Sequence, residues 1–194
     1  MLLRPSRGIL RILIMLRPIR AALLLLFMLG GLGHALAEPP SVGAPAPGFE
    51  LTDQDGKVRT LEDYRDGWVA LYFYPKDDTP GCTTEACEFR DDIFKYRRMG
   101  CQVLGISLDD SESHKAFAEK YGLPFPLLAD TEGTTAEAYG VKTRMFGMLA
   151  MAKRQTFLID PNGKIARHYE KVDPDTHSAE LLADLAELTG QNPQ

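Results

Sequence analysis

Cysteine is scarce in this 194-residue chain: there are three, and no two stand as Cys-x-x-Cys. The chemistry of a thiol–disulfide reductase normally uses that spacing, so its absence counts against such an activity. Histidine is scarce too. His114, His168 and His177 show no ligand spacing, so each reads as a surface histidine, and neither a metal nor another cofactor is expected. There are no internal repeats and no low-complexity tract. There is also no run of the roughly 20 apolar residues that a membrane-spanning helix wants. The nearest approach, Ala21 to Ala37, is broken by Gly30, Gly31, Gly33 and His34. Acidic residues are missing from the first 37 positions, which carry five arginines (Arg4, Arg7, Arg11, Arg17 and Arg20).

That basic start leads into an apolar stretch, Ala21 to Leu29, and then into Ala35-Leu36-Ala37. These are the three parts of a secretory signal peptide, with cleavage expected after Ala37. An uncleaved membrane anchor is the alternative. Met15 to Ala37 would make a complete signal by itself, which makes Met15 a possible true start. Residues 1–37 hold five of the 22 basic residues and none of the 27 acidic ones, so the remainder carries a net charge of −10. That charge argues against nucleic acid or an anionic membrane surface as a partner, and no stable membrane association is expected after cleavage. Hydrophobic residues at 44% and charged residues at 25% are those of an ordinary globular protein. Residues 38–48, rich in Pro and Gly, read as an extended linker, and 49–194 as a single domain.

Export implies an oxidising compartment, the bacterial periplasm in this reading, where a disulfide can persist. Three cysteines then give one pair and one leftover thiol, and Cys82 and Cys87 look like the pair. Cys101 opens an apolar strand-like run and reads as a buried small hydrophobe.

Along the domain, Asp53-Gln54-Asp55-Gly56 and Pro161-Asn162-Gly163-Lys164 each mark a hairpin. Leu61 to Tyr64 reads as a short helical turn. Strands are expected at Trp68–Tyr74, Val103–Leu108, Leu127–Ala129, Thr156–Asp160 and Ile165–Glu170. Helices are expected over 82–99, 112–121, 131–139 and 177–189. Arg144 to Lys153 is apolar without a clear period and reads as a loop or turn of helix near the site. Strands alternating with helices, then a hairpin and a helix, give an α/β fold with a mixed sheet.

The run Pro75-Lys76-Asp77-Asp78-Thr79-Pro80-Gly81-Cys82 carries the chemistry. It follows an apolar strand and precedes a helix, so a stiff turn delivers Cys82 to a helix start. Free N–H groups there stabilise negative charge and favour the thiolate. A thiolate can attack a peroxide oxygen, expel hydroxide or alkoxide, and become a sulfenic acid. Donors must then be aimed at the oxygen that gains charge. The Thr79 hydroxyl is placed to be one. Arg154 is the candidate cation, because a sheet neighbour can bring it beside the strand ending at Tyr74. The acidic cluster Glu85, Glu88, Asp91 and Asp92 reads as a solvated helix face.

Pro75-Lys76-Asp77-x-Thr79-Pro80-Gly81-Cys82-Thr83-x-x-x-Cys87-x-Phe89-Arg90-Asp91 resembles the peroxiredoxins of the bacterioferritin-comigratory, or Q, subgroup. The likeness continues through Val103–Ser107, Tyr121–Phe125, Leu128–Asp130, Tyr139–Val141 and Arg154–Gly163. This resemblance implies a thioredoxin-like fold with an N-terminal hairpin extension. It implies Cys82 as peroxidatic cysteine, Cys87 as resolving cysteine, and Pro75, Thr79 and Arg154 as their companions. It implies peroxide substrates, a thioredoxin-like or other dithiol reductant, and a monomer. Two other functions stay open: an exported copper-binding assembly factor of similar fold, with His168 as third ligand, and the thiol–disulfide reductase.

Overall fold

The computed structural model describes residues 37–145 and 147–191. The expected signal segment therefore lies outside the described residues, apart from Ala37. Elements follow in the order β1 (Glu50–Asp53), β2 (Val58–Thr60), a 3-10 turn (Leu61–Tyr64), β3 (Trp68–Phe73), α1 (Pro80–Arg98), β4 (Cys101–Ser107) and α2 (Ser111–Tyr121). Then come β5 (Leu127–Ala129), α3 (Thr134–Ala138), β6 (Lys142–Met145), β7 (Leu149–Ala152), β8 (Gln155–Ile159), β9 (Ile165–Tyr169) and α4 (His177–Thr189). The seven-stranded sheet has the order β2-β1-β5-β4-β3-β8-β9. Its centre, β5-β4-β3, is parallel, and antiparallel hairpins close both edges. This is the mixed sheet of a thioredoxin-like fold with an N-terminal hairpin.

The two-residue period of β3 explains the layering. Ala70, Tyr72 and Tyr74 face one core, with Phe89 of α1, Phe117 of α2 and Leu181 and Leu185 of α4. Val69, Leu71 and Phe73 face the other, with Ala136 of α3, Tyr139 and Phe157. Both faces of β3 are buried, which is why its sequence is a continuous apolar run rather than an alternating one. At Gly105 of β4, a Cβ would meet the Tyr72 ring at 2.7 Å; glycine there lets the tyrosine lie across the strand.

Two expectations need correction. Residues 38–48, expected to be an extended linker, turn at Ser41–Ala44 and are hydrogen-bonded to the domain. The Gly43 N–H donates to the Ile165 carbonyl at 2.8 Å, the Ile165 N–H to the Ala44 carbonyl at 2.9 Å, and the Tyr139 hydroxyl to the Pro47 carbonyl at 2.8 Å. β9 is an edge strand, and the segment occupies backbone groups that the edge would otherwise leave open. Arg144 to Lys153 is not a loop or helical turn: most of it belongs to the two-stranded ribbon β6–β7, with Arg144 opposite Ala150. A ribbon outside the main sheet has no buried face to impose an alternating pattern, so the period was invisible in the sequence.

Candidate active site

β3 ends in the middle of the sheet, and the Tyr74 N–H continues its ladder to the Ile106 carbonyl at 3.1 Å. The chain then turns through half-buried Pro75 and on to Thr79, which caps α1 in an extended conformation (φ −95°, ψ 151°). Pro80 takes the first helical position, where a missing N–H costs nothing and a fixed φ suits the helix. The first intrahelical bond runs from the Thr83 N–H to the Thr79 carbonyl at 2.8 Å. The N–H groups of Gly81 and Cys82 precede it and have no carbonyl four residues back within the helix to receive them. The Thr79 side chain does not cap them either; its hydroxyl donates to the Lys76 carbonyl at 3.0 Å. Two backbone donors and a positive helix end therefore gather around Cys82.

Cys82 is 1% exposed. Arg154 stands between β7 and β8, and β8 pairs with β3 so that Gln155 lies opposite Phe73. That register brings the guanidinium to the sulfur: Nη2 donates to Cys82 Sγ at 3.1 Å. Nη1 donates to the Gly81 carbonyl at 3.5 Å and to Oε2 of Glu85. Gly81 leaves room for this approach, since a Cβ on it would sit 3.3 Å from Arg154 Nη2.

Glu85 is the residue that sequence reasoning misplaced. It is buried, with its side chain 1% exposed, rather than on a solvated face. It follows Cys82 by three residues and so shares its helix face. Desolvation pushes its carboxyl up, the Arg154 charge and hydrogen bond pull it down, and the balance lies at about 7. Among the described residues its Oε1 has no hydrogen-bond partner. Arg154, half-buried, thus reaches the Cys82 sulfur and the Glu85 carboxyl from one guanidinium. Burial lowers its affinity for its proton, while Glu85 and Cys82 raise it, with a net rise.

Cys87 is half-buried further along α1, and all three cysteines are free thiols. Cys101 opens β4, opposite Trp68 at the far end of β3 from Cys82, and burial pushes its thiol up to about 12. The histidines also depart from expectation. His114 and His177 are fully buried: Nδ1 of His114 bonds Asp77, and Nε2 of His177 bonds the Thr156 hydroxyl at 2.8 Å. Both sit on the inward faces of their helices, α2 and α4. His168 is half-buried, stacked on Phe157 at 4.3 Å, with Nε2 on Gln155 Oε1 at 3.0 Å. That ring nitrogen is occupied, which weakens its case as a copper ligand.

A profile of the AhpC/TSA family matches residues 42–168. The chain is 45% identical over 149 residues to the chloroplastic peroxiredoxin Q of Triticum aestivum, covering 76% of this chain and 68% of that one. Among solved structures it resembles peroxidoxin BcpB of Mycobacterium tuberculosis, with 38% identity, TM-score 0.72, and 77% and 98% of the two chains covered. It also resembles the bacterioferritin comigratory protein of Xanthomonas campestris, studied for alkyl peroxide reduction, with 33% identity, TM-score 0.68, and 73% and 92% covered. A thiol at a capped helix start, an arginine on its sulfur and this breadth of similarity agree: the chain belongs to the AhpC/TSA family, among the peroxiredoxins of the Q, or bacterioferritin-comigratory, type.

Proposed function

We propose that this thiol peroxidase uses Cys82 as its peroxidatic sulfur and Cys87 as its resolving sulfur. The observation that carries the assignment is the 3.1 Å approach of Arg154 Nη2 to Cys82 Sγ at the start of α1. The cation and the uncommitted N–H groups of Gly81 and Cys82 favour the thiolate and offer donors to the peroxide. The thiolate attacks one peroxide oxygen, the O–O bond breaks, and the other oxygen leaves with the electron pair as hydroxide or alkoxide, taking a proton to become water or alcohol. Cys82 is left as the sulfenic acid. Thr79 orients the peroxide, which requires its hydroxyl to leave the Lys76 carbonyl. Pro75 keeps the turn stiff. Hydrogen peroxide and organic hydroperoxides are the substrate class, in keeping with the alkyl peroxide activity of the Xanthomonas relative.

Cys87 then attacks the Cys82 sulfur, forming the disulfide and releasing the hydroxyl as water. On one continuous helix two cysteines five residues apart stand about 8–9 Å apart at Cα and point some 140° apart. A disulfide wants Cα atoms within about 7 Å and converging side chains. The first turns of α1 therefore unwind in each cycle and expose the bond to a dithiol reductant.

Residues 1–37 act as an export signal in this reading, the working form begins at Glu38 in the periplasm, and it acts as a monomer. The reductant is then a thioredoxin-like or other dithiol protein of that compartment. N-terminal sequencing of the purified cellular protein tests the export arm; residues 21–37 found intact would favour an anchor. Cys87→Ser tests the resolving arm. It should consume one equivalent of peroxide, accumulate sulfenic acid and over-oxidise. Unimpaired catalytic turnover in Cys87→Ser would remove Cys87 from the mechanism.

A further inference from the structure

The loop between β3 and α1 carries three successive side chains that the reaction above does not use, and all three are fastened to α2 or the turn before it. Lys76 Nζ donates to Asp109 Oδ1 at 2.9 Å, and the Asp77 N–H donates to Asp109 Oδ2 at 2.9 Å. Asp78 sits at φ 53°, a left-handed backbone that costs a non-glycine residue energy. Its carboxylate accepts from Lys120 at 2.7 and 2.8 Å and from the Tyr121 hydroxyl at 2.6 Å.

Asp77 turns inward between them, with its side chain 5% exposed. Its Oδ1 accepts from the Tyr74 hydroxyl at 2.8 Å. Its Oδ2 accepts from the Ser113 hydroxyl at 2.7 Å and lies 2.8 Å from Nδ1 of His114. Nδ1 is thus the ring nitrogen that His114 brings to the Asp77 carboxyl. Nε2 of His114 is buried without a hydrogen-bond partner among the described residues. A buried carboxylate and an incompletely satisfied buried histidine are expensive to retain in a core. Here they hold one thing in place: the backbone five residues before Cys82.

The far side of the turn is held differently. Asp92 accepts from the Ser178 hydroxyl at 2.8 Å, the Tyr96 hydroxyl donates to the Ser178 carbonyl at 2.9 Å, and Phe89 meets the His177 ring edge-on. Between these anchors, the long-range side-chain hydrogen bonds described for residues 79–88 run to Arg154 alone. The stretch that must unwind therefore lies between the loop's ties to α2 on one side and, on the other, the ties of α1 to α4 and of Arg90 Nη1 to the Tyr121 carbonyl at 2.8 Å, with Arg154 as the latch between them.

We infer that Asp77, gripped by Ser113 and His114 of α2, is a positioning residue for Cys82: it fixes the near end of the segment that opens during disulfide formation and returns it in register to Arg154. The inference rests on the assignment of Cys82 and Cys87 above. It has a signature that simple weakening of the fold lacks. Loosening the grip lowers the share of molecules with Cys82 seated on Arg154, so attack on peroxide slows. The same loosening helps the turn leave Arg154, so disulfide formation from the sulfenic acid accelerates.

Rapid quenching of reduced protein mixed with hydrogen peroxide, with mass detection of the Cys82 thiol, sulfenic acid and disulfide, resolves the two steps. Asp77→Asn and His114→Gln should slow the first step about tenfold, the scale of one charge-assisted buried hydrogen bond, and speed the second. His114→Asn places an amide N–H near the position of Nδ1, whereas Gln places it near Nε2, so His114→Asn should lie close to wild type. Should Asp77→Asn fail to fold, Ser113→Ala removes one donor from a half-buried serine and should show the same opposed shifts on a smaller scale. Folded variants with both rates unchanged, both rates lowered together, or no difference between His114→Asn and His114→Gln would overturn the inference. Wild-type protein whose Cys82 stays reduced would overturn the peroxidase assignment itself and this inference with it; a reactive wild type matched by its variants overturns this inference alone.

Discussion

Glu85→Gln is the sharpest thermodynamic perturbation the site offers. The Glu85 carboxyl is 1% exposed, and desolvation, opposed by Arg154, carries its pKa from 4.5 to about 7. The unfolded chain ionises this group above about pH 4.5, while the folded protein keeps its proton until about pH 7. Protonation thus favours the folded state within that window, and the contribution is full below pH 4.5 and lost as pH rises through 7. At about 1.4 kcal/mol per pH unit, the loss across the window is about 3 kcal/mol. Glutamine keeps the shape and cannot titrate. Urea unfolding of the reduced protein and of Glu85→Gln, measured between pH 4 and 8 as a difference, isolates the group, since the other titrations largely cancel. Wild type should lose stability relative to the variant by about 3 kcal/mol across the window and by little above it. Parallel curves would refute the claim that Glu85 enters the folded site as a desolvated acid.

Further expectations concern Arg154 and Cys101. Arg154→Ala should slow oxidation of Cys82 by about 100-fold, the scale of losing one aimed donor, and Arg154→Lys should fall between, keeping charge but not the two-pronged reach to Cys82 and Glu85; an unchanged rate in stopped-flow would move the role to another cation, Arg144 next. Cys101, its thiol pushed up to about 12 by burial, should resist alkylation in the folded protein, and Cys101→Ala should leave peroxide turnover unaltered while lowering stability by about 1 kcal/mol. Loss of turnover in folded Cys101→Ala would show that this thiol takes part.

Much of the scaffold was legible because its signals are local. Asp55-Gly56 and Asn162-Gly163 mark the two edge hairpins, and the apolar run Trp68–Tyr74 followed by Thr79-Pro80-Gly81 marks the strand, cap and helix that deliver Cys82. The nearness of Arg154 follows from one further step, the pairing of β8 with β3. The remainder depends on facts that no window of sequence contains. Glu85 looks like part of an acidic face until α1 is laid on the sheet, and only then does its spacing from Cys82 turn it inward. His114 and His177 are buried by what α2 and α4 pack against. The Thr79 hydroxyl, expected to be aimed at the peroxide oxygen, rests on the Lys76 carbonyl, an acceptor within the same tight turn. Asp77 sits within the motif, yet Ser113 and His114, which hold its Oδ2, lie more than 30 residues away on α2.

The central claim is that Cys82 is the sulfur that meets peroxide and Cys87 the one that resolves it. Fully reduced protein treated with one equivalent of hydrogen peroxide, blocked with an alkylating agent and digested, locates the oxidised sulfur by peptide mass. The account predicts a peptide with Cys82 joined to Cys87 within one chain, and alkylated Cys101 recovered after unfolding. Cys82 recovered as the alkylated thiol, or joined to Cys101 or to a second chain, would contradict it.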